Sequence, residues 1–145
     1  MELRIKKLKT DAIIPSYGSA LAAGADLYAC EGGEVTIKPG ETKFIHTGIA
    51  MEIPEGYVGL VYARSGIAVK RGLAPANKVG VIDSDYRGEI MVAIHNHSDE
   101  DQTIADAERI AQIVITPYLT VDFVLAEELD ETDRGTGGFG STGTK

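Results

Sequence analysis

The sequence is short of several things, and each shortage narrows what the chain can be. One cysteine, Cys30, stands among 145 residues, so no internal disulfide can form and a reducing cytoplasm is the expected setting. The three histidines and that cysteine offer no spacing that reads as a zinc site. No apolar run approaches the roughly 20 residues of a membrane-spanning helix. The opening Met1-Glu2-Leu3-Arg4-Ile5 lacks the apolar stretch of a signal peptide. Positive charge is scarce too: 14 Lys and Arg against 22 Asp and Glu give a net charge of −8. That balance argues against a nucleic-acid duplex as partner, because backbone phosphates would be repelled. It leaves room for a small phosphate ligand where a few cations converge, with magnesium bridging the phosphate oxygens.

What is present reads as one globular domain. The hydrophobic content is 43%, enough for a real core at this length. Short apolar segments separated by turn residues predict strands over Leu3–Leu8, Asp26–Ala29, Glu34–Ile37, Thr42–Ile53, Val58–Ala63, Gly80–Ile82, Glu89–Asn96, Arg109–Pro117 and Val121–Leu125. Strands at this spacing point to an all-β sandwich or barrel. Ile90, Val92 and Ile94 alternate with Met91 and Ala93, so that strand is expected to be covered on both faces. One short helix is expected, with Ser65 capping Gly66–Lys70 and Gly72 ending it. The folded body is expected over residues 1–127. Residues 128–145 are read as a flexible arm, acidic at first and then rich in glycine.

That arm cannot pack but can bind. Five of the ten positions from Arg134 to Gly143 are glycine, which makes the backbone costly to order. Among them stand a cation, Arg134, a ring, Phe139, and two hydroxyls, Ser141 and Thr142, the groups that hold a polyphosphate and stack on a base. A P-loop is excluded: no Gly-Lys-Ser/Thr step is present and no helix follows.

Further groups lie in the body. Ala63-Arg64-Ser65-Gly66 places a cation and a hydroxyl at a helix start, either an anion site or a capped helix with a surface arginine. Gly80-Val81-Ile82-Asp83-Ser84-Asp85-Tyr86-Arg87-Gly88 turns sharply through two acids. It is either a platform for a flat ring or an ordinary polar turn. Ala23-Gly24-Ala25-Asp26-Leu27 sets an acid among small residues, and Glu108-Arg109-Ile110-Ala111-Gln112 reads as a strand with polar interruptions. His95-Asn96-His97 is read as a solvated strand end, since the residues of an HNH nuclease are dispersed through their fold.

Taken in order, five segments resemble the five motifs of the all-β, homotrimeric dUTPase family: Ala23–Ala29 (AGADLYA), Ala63–Ala68 (ARSGIA), Gly80–Ile90 (GVIDSDYRGEI), Glu108–Gln112 (ERIAQ) and Arg134–Gly143 (RGTGGFGSTG). The resemblance implies a jelly-roll-like β-barrel that assembles as a trimer, with active sites shared between subunits. It also implies magnesium-dependent hydrolysis of dUTP to dUMP and pyrophosphate by water attack on the α-phosphate. That activity limits uracil incorporation into DNA and supplies dUMP for dTMP synthesis. Asp83 matches the acid that orients the attacking water, and Tyr86 the ring beneath the deoxyribose. Asn77 matches the side chain that reads uracil with the hairpin backbone. Arg64, Ser65, Gly66 and Gln112 match phosphate contacts, and Asp26 matches the acid that holds magnesium through water. In the arm, Phe139 matches the ring over uracil. Arg134, Ser141 and Thr142 match the groups that close on the γ-phosphate, with Gly140 among the substrate-binding positions. Ala107 departs from the pattern, standing where the family usually has glycine.

Three other readings compete, the blandest of them a structural β-sandwich with a disordered tail, which five motifs in order argue against. The sister dCTP deaminases share the fold but carry a catalytic glutamate where this chain has Ala93, and a glycine where it has Asp85. A non-catalytic nucleotide-sensing member would be expected to lack some catalytic groups or the arm, whereas all are present.

Overall fold

The computed structural model describes residues 1–138. Phe139, Gly140, Ser141 and Thr142 therefore lie outside the described residues. The chain forms strands β1 (Arg4–Lys7), β2 (Ser16–Tyr17), β3 (Ala25–Tyr28), β4 (Val35–Ile37), β5 (Thr42–Glu52) and β6 (Tyr57–Tyr62), then helix α1 (Ser65–Arg71). Strands β7 (Leu73–Pro75), β8 (Gly80–Ile82), β9 (Glu89–Asn96), β10 (Gln102–Ile104) and β11 (Arg109–Pro117) follow.

One sheet has the order β1-β5-β9-β7, a second β2-β3-β11-β6-β8, and β10 pairs with β4. The ladders are antiparallel, and they leave the sheets open rather than closed on themselves. Both larger sheets turn aliphatic residues, most of them β-branched, into one core: Ile45, Ile49, Ile90 and Ile94 from the first, Leu27, Val61, Ile110 and Ile113 from the second. Isoleucine suits this role, because its branched side chain is stiff and packs well on a pleated surface.

Several expectations change. Val121–Leu125 forms no strand, and Phe123, Val124 and Leu125 are exposed. An apolar segment becomes a strand only against a free ladder edge, and no such edge pairs with it among the described residues. The β9 strand is covered on one face only. Ile90, Val92 and Ile94 are buried, while Met91 is 41% exposed beside open Phe44 and Val81. Ser65 is the first helical residue rather than the cap. Arg64 takes the cap position in extended backbone (φ −90°, ψ 128°) with no capping side chain, and Gly72 ends the helix at φ 66° as expected. Strands β2, β7 and β10, too short to show periodicity, were not expected. His95-Asn96-His97 is not simply a solvated end, because Asn96 is fully buried. Its amide donates to the Ile37 and Glu100 carbonyls at 2.9 and 2.8 Å and its oxygen accepts from Ser98, so the side chain closes the turn after β9.

Ala107 keeps the turn that a glycine would make. Its φ is +61°, its N–H donates to the Ala29 carbonyl at 3.0 Å, and Ala29 N–H donates to Glu108 at 2.8 Å. Left-handed backbone costs a residue with a Cβ about 1–2 kcal/mol, partly offset by the entropy glycine loses on folding. Ala107→Gly is expected to raise stability by about 0.5–1 kcal/mol, seen as a melting temperature higher by roughly 2–3 °C. An unchanged or lower melting temperature would mean the turn carries no strain.

Candidate functional site

Three distant stretches of chain meet in one cleft. β3 and β11 pair so that Asp26 faces Gln112, and β11 also pairs with β6, placing Gln112 opposite Tyr62, just before Arg64. Asp26, Arg64, Ser65, Gly66, Arg109 and Gln112 line the resulting cleft, of about 220 Å³.

Asp26 is 8% exposed, and a buried carboxylate needs partners. Arg64 Nε donates to its Oδ1 at 2.7 Å and Arg109 Nη1 to its Oδ2 at 3.3 Å. Gln112 is held by its amide, which donates to the Ala63 carbonyl at 2.9 Å. Gly24 makes room for it: a Cβ there would run into the Gln112 carboxamide, reaching Cδ at 3.1 Å. At Gly66, in contrast, a Cβ would meet no atom within 4 Å. Glycine there is not demanded by the chain's own packing and leaves the cleft open. The first turn of α1 carries no acidic residue of its own.

Arg71, at the other end of α1, anchors this helix. Its guanidinium pairs with Glu108, donates to the Thr103 carbonyl and reaches Gln102 Oε1 at 3.2 Å. The position of the Arg64-Ser65-Gly66 turn is therefore fixed to the β10–β11 connection.

The hairpin residues occupy a second place. Asp83 is exposed at the tip after β8, and its carbonyl accepts from Tyr86 N–H at 3.2 Å. The Tyr86 hydroxyl donates to the Glu89 carbonyl at 3.0 Å. Gly88 permits this fold-back, since any Cβ there would collide with the Tyr86 ring. Asp83, Tyr86, Val81, Phe44 and Met91 line a cavity of about 170 Å³. Asn77 lies on an exposed turn in which Lys78 has φ +64°, and Val79 N–H donates to the Asn77 carbonyl at 2.7 Å. Gly80 pairs with Val61, and a Cβ on it would press on Val61 and the Asn77 amide.

The structure thus brings together Asp26, Arg64, Ser65, Gly66 and Gln112, and separately Asp83 and Tyr86, in two cavities that share no lining residue. Arg134 reaches neither. Its Nε donates to the Gly137 carbonyl at 2.8 Å, so it closes its own local turn. Arg109 and Gly24 are the residues that sequence reasoning missed. The β3–β11 pairing carries the signal for Arg109, because a buried Asp26 on one strand calls for a cation on its neighbour.

Among the described residues no group of three or more His, Cys, Asp or Glu is arranged to hold a metal ion. With both Asp26 oxygens already accepting from arginines, the donors do not fit a resident chelated ion. They fit one that arrives on phosphate oxygens and meets a single carboxylate through water. No helix among the described residues is long and apolar enough to cross a membrane.

An all-β fold whose cleft gathers cations, a hydroxyl and an open glycine around one acid defines a protein built to hold a phosphorylated small molecule. The family model for dUTPase matches residues 10–143, and the chain belongs to that family. Deoxyuridine 5'-triphosphate nucleotidohydrolase of Syntrophotalea carbinolica is 50% identical over 141 residues, covering 97% of this chain and 96% of that protein. The protein of the same name from Nautilia profundicola is 52% identical over 143 residues, covering 99% of each. Among solved structures, a variant of the Staphylococcus bacteriophage 80alpha dUTPase with dUpNHpp superposes with a TM-score of 0.89 at 31% identity, covering 98% of each chain. A dUTPase of phage phi11 of S. aureus, described with a structural Mg(II) ion, superposes with a TM-score of 0.78 at 28% identity, covering 88% of this chain and 98% of that one.

Proposed function

We propose that this chain hydrolyses dUTP to dUMP and pyrophosphate, with water attacking the α-phosphorus. The observation that carries the reading is the convergence of Asp26, Arg64 and Gln112, from three separate motifs, on one cleft. The chain is a nucleotide hydrolase of the dUTPase family. The fate of its products, less uracil in DNA and dUMP for dTMP synthesis, follows from the reaction.

The roles divide by chemistry. Arg64, Ser65, Gly66 and Gln112 bind the phosphate chain through one cation, a hydroxyl, an open backbone and an amide. Phosphoryl transfer depends mainly on positioning and on stabilising charge, so these groups supply much of the rate. Asp83 orients the water. Alignment of that water is the larger part of its contribution. Tyr86 lies beneath the deoxyribose and leaves no room for a 2′-hydroxyl. Asn77 reads uracil with hairpin backbone groups. Cytosine would leave those groups unpaired, and thymine's methyl would collide. Magnesium, when bound, neutralises charge on the phosphates, with Asp26 meeting it through water.

The separation of the phosphate cleft from the Asp83–Tyr86 cavity supports sites assembled from more than one copy of the chain, in a homotrimer. Residues 1–127 form the body and 128–145 the arm, with Arg134, Phe139, Gly140, Ser141 and Thr142 closing on substrate held by a neighbour. The setting is cytoplasmic. Ala93, half-buried and paired with Phe44, stands where a deaminase would need its glutamate, which favours hydrolysis over deamination.

Hydrolysis in heavy-oxygen water tests the proposed attack. A single label is expected in dUMP and none in pyrophosphate. Label in pyrophosphate would place the attack on another phosphorus.

A further inference from the structure

Strand β5 is interrupted where it passes the hairpin. His46 pairs with Met91 and Ala50 with Glu89, so Thr47, Gly48 and Ile49 face only Ile90. Such a bulge leaves ladder groups without their regular partners, and here side chains supply them. The Thr47 hydroxyl donates to the Ile90 carbonyl. Gly48 N–H donates to Glu89 Oε1 at 2.8 Å, and the other carboxylate oxygen lies 2.9 Å from His46 Nδ1. Gly48 has φ +67°, and a Cβ there would crowd Ala12 and Cys30 at 2.9 Å. The bulge therefore has one permitted shape, and Glu89 bridges its two ends.

Glu89 also receives Tyr86. The hydroxyl of that ring donates to the Glu89 main-chain carbonyl at 3.0 Å, while the carboxylate of the same residue is clamped by His46 and Gly48. Burial works against ionisation of this carboxyl, but the hydrogen bonds from His46 and Gly48 outweigh it and hold it below the usual glutamate range. With Glu89 ionised, His46 Nδ1 carries the proton and donates. Phe44, two residues before His46 on the same face of β5, lines the cavity beneath Tyr86 together with Met91.

We infer that His46 is a positioning residue for sugar discrimination: through Glu89 it fixes the ring of Tyr86 against the hairpin. This rests on Tyr86 being the surface beneath the sugar. A ring free to tilt would admit the extra hydroxyl of a ribonucleotide. The deoxy substrate needs less exclusion and is affected less.

The test is steady-state kinetics of the intact oligomer with dUTP and UTP, alongside thermal unfolding. His46→Ala is expected to raise kcat/KM for UTP relative to dUTP about fivefold, the scale of one lost hydrogen bond of about 1 kcal/mol. Its kcat for dUTP should change less than about twofold, and its KM for UTP should carry the effect. His46→Asn, which keeps a donor near the Nδ1 position, should restore discrimination. Tyr86→Phe removes the hydroxyl link and keeps the ring. It should loosen discrimination alike, and adding His46→Ala to it should bring no further change. Equal losses with both substrates, no change in their ratio, or additive effects of the two substitutions would overturn the inference. Should His46→Ala fail to fold, Tyr86→Phe alone decides: unchanged discrimination there breaks the proposed link. Tyr86→Ala separates the two levels, because unchanged discrimination in that variant removes the sugar role itself. Relaxed discrimination in Tyr86→Ala without an effect of His46→Ala removes only the inference.

Discussion

Asp83→Asn should lower the turnover of dUTP by about a hundredfold to ten-thousandfold, the range lost with a positioned acid–base group, while dUTP still binds. The substitution preserves shape and lies on an exposed turn, so folding should be unaffected within about 0.5 kcal/mol. What changes is the partner offered to water. A carboxylate accepts only, and so fixes both the position and the orientation of an attacking molecule. A carboxamide presents an N–H₂ on one side and misaligns it. The measurement is single-turnover hydrolysis beside equilibrium binding of a non-hydrolysable analogue. Turnover near that of the parent would remove Asp83 from the proposed role. Loss of binding together with turnover would make it a substrate-holding group instead.

Deleting Arg134–Lys145 should leave the folded body and the proposed trimer intact and cost about a hundredfold or more in kcat/KM, since closing groups would both orient the phosphates and exclude water. Among the described residues, no core side chain comes from this segment. Buried side chains among the described residues end at Ile113 on β11, and Arg134 donates to Gly137 in its own turn. Light scattering and thermal unfolding should therefore match those of the full chain. Full activity in the truncated protein would mean that the arm has no part in the reaction. A lower melting temperature would mean that the arm contributes to the fold. Either result would require a different account of the glycine-rich end.

How much of this was legible depended on the physical reach of each signal. Strands β5, β9 and β11 are long strand-forming segments bounded by turn residues, β9 with clear alternation as well, so they could be read directly, and Gly72 announces the end of α1. The helix start was misplaced by one residue because a serine after an arginine looks like a cap, whereas Arg64 itself takes the extended backbone. Val121–Leu125 has strand composition without a strand, because composition says nothing about a free edge. The phosphate cleft was legible from the order of its motifs, yet Arg109 was not. Its role appears only once β3 and β11 are paired and Asp26 is seen to need a second cation. His46 was hidden more deeply still. It meets Glu89 across 43 residues of sequence, and only the bulge in β5 explains why a carboxylate stands there. Phe139, Ser141 and Thr142 keep the roles implied by the resemblance, as proposals.

The central claim is that this chain selects dUTP among nucleotides and splits it between the α- and β-phosphates. Pyrophosphate release from dUTP, dTTP, dCTP and UTP, each with and without magnesium, addresses it most directly. The account predicts rapid release from dUTP with magnesium, at least about a hundredfold less from the other three, and a marked loss when the ion is removed. Comparable release from dTTP or UTP, or none from dUTP, would contradict it.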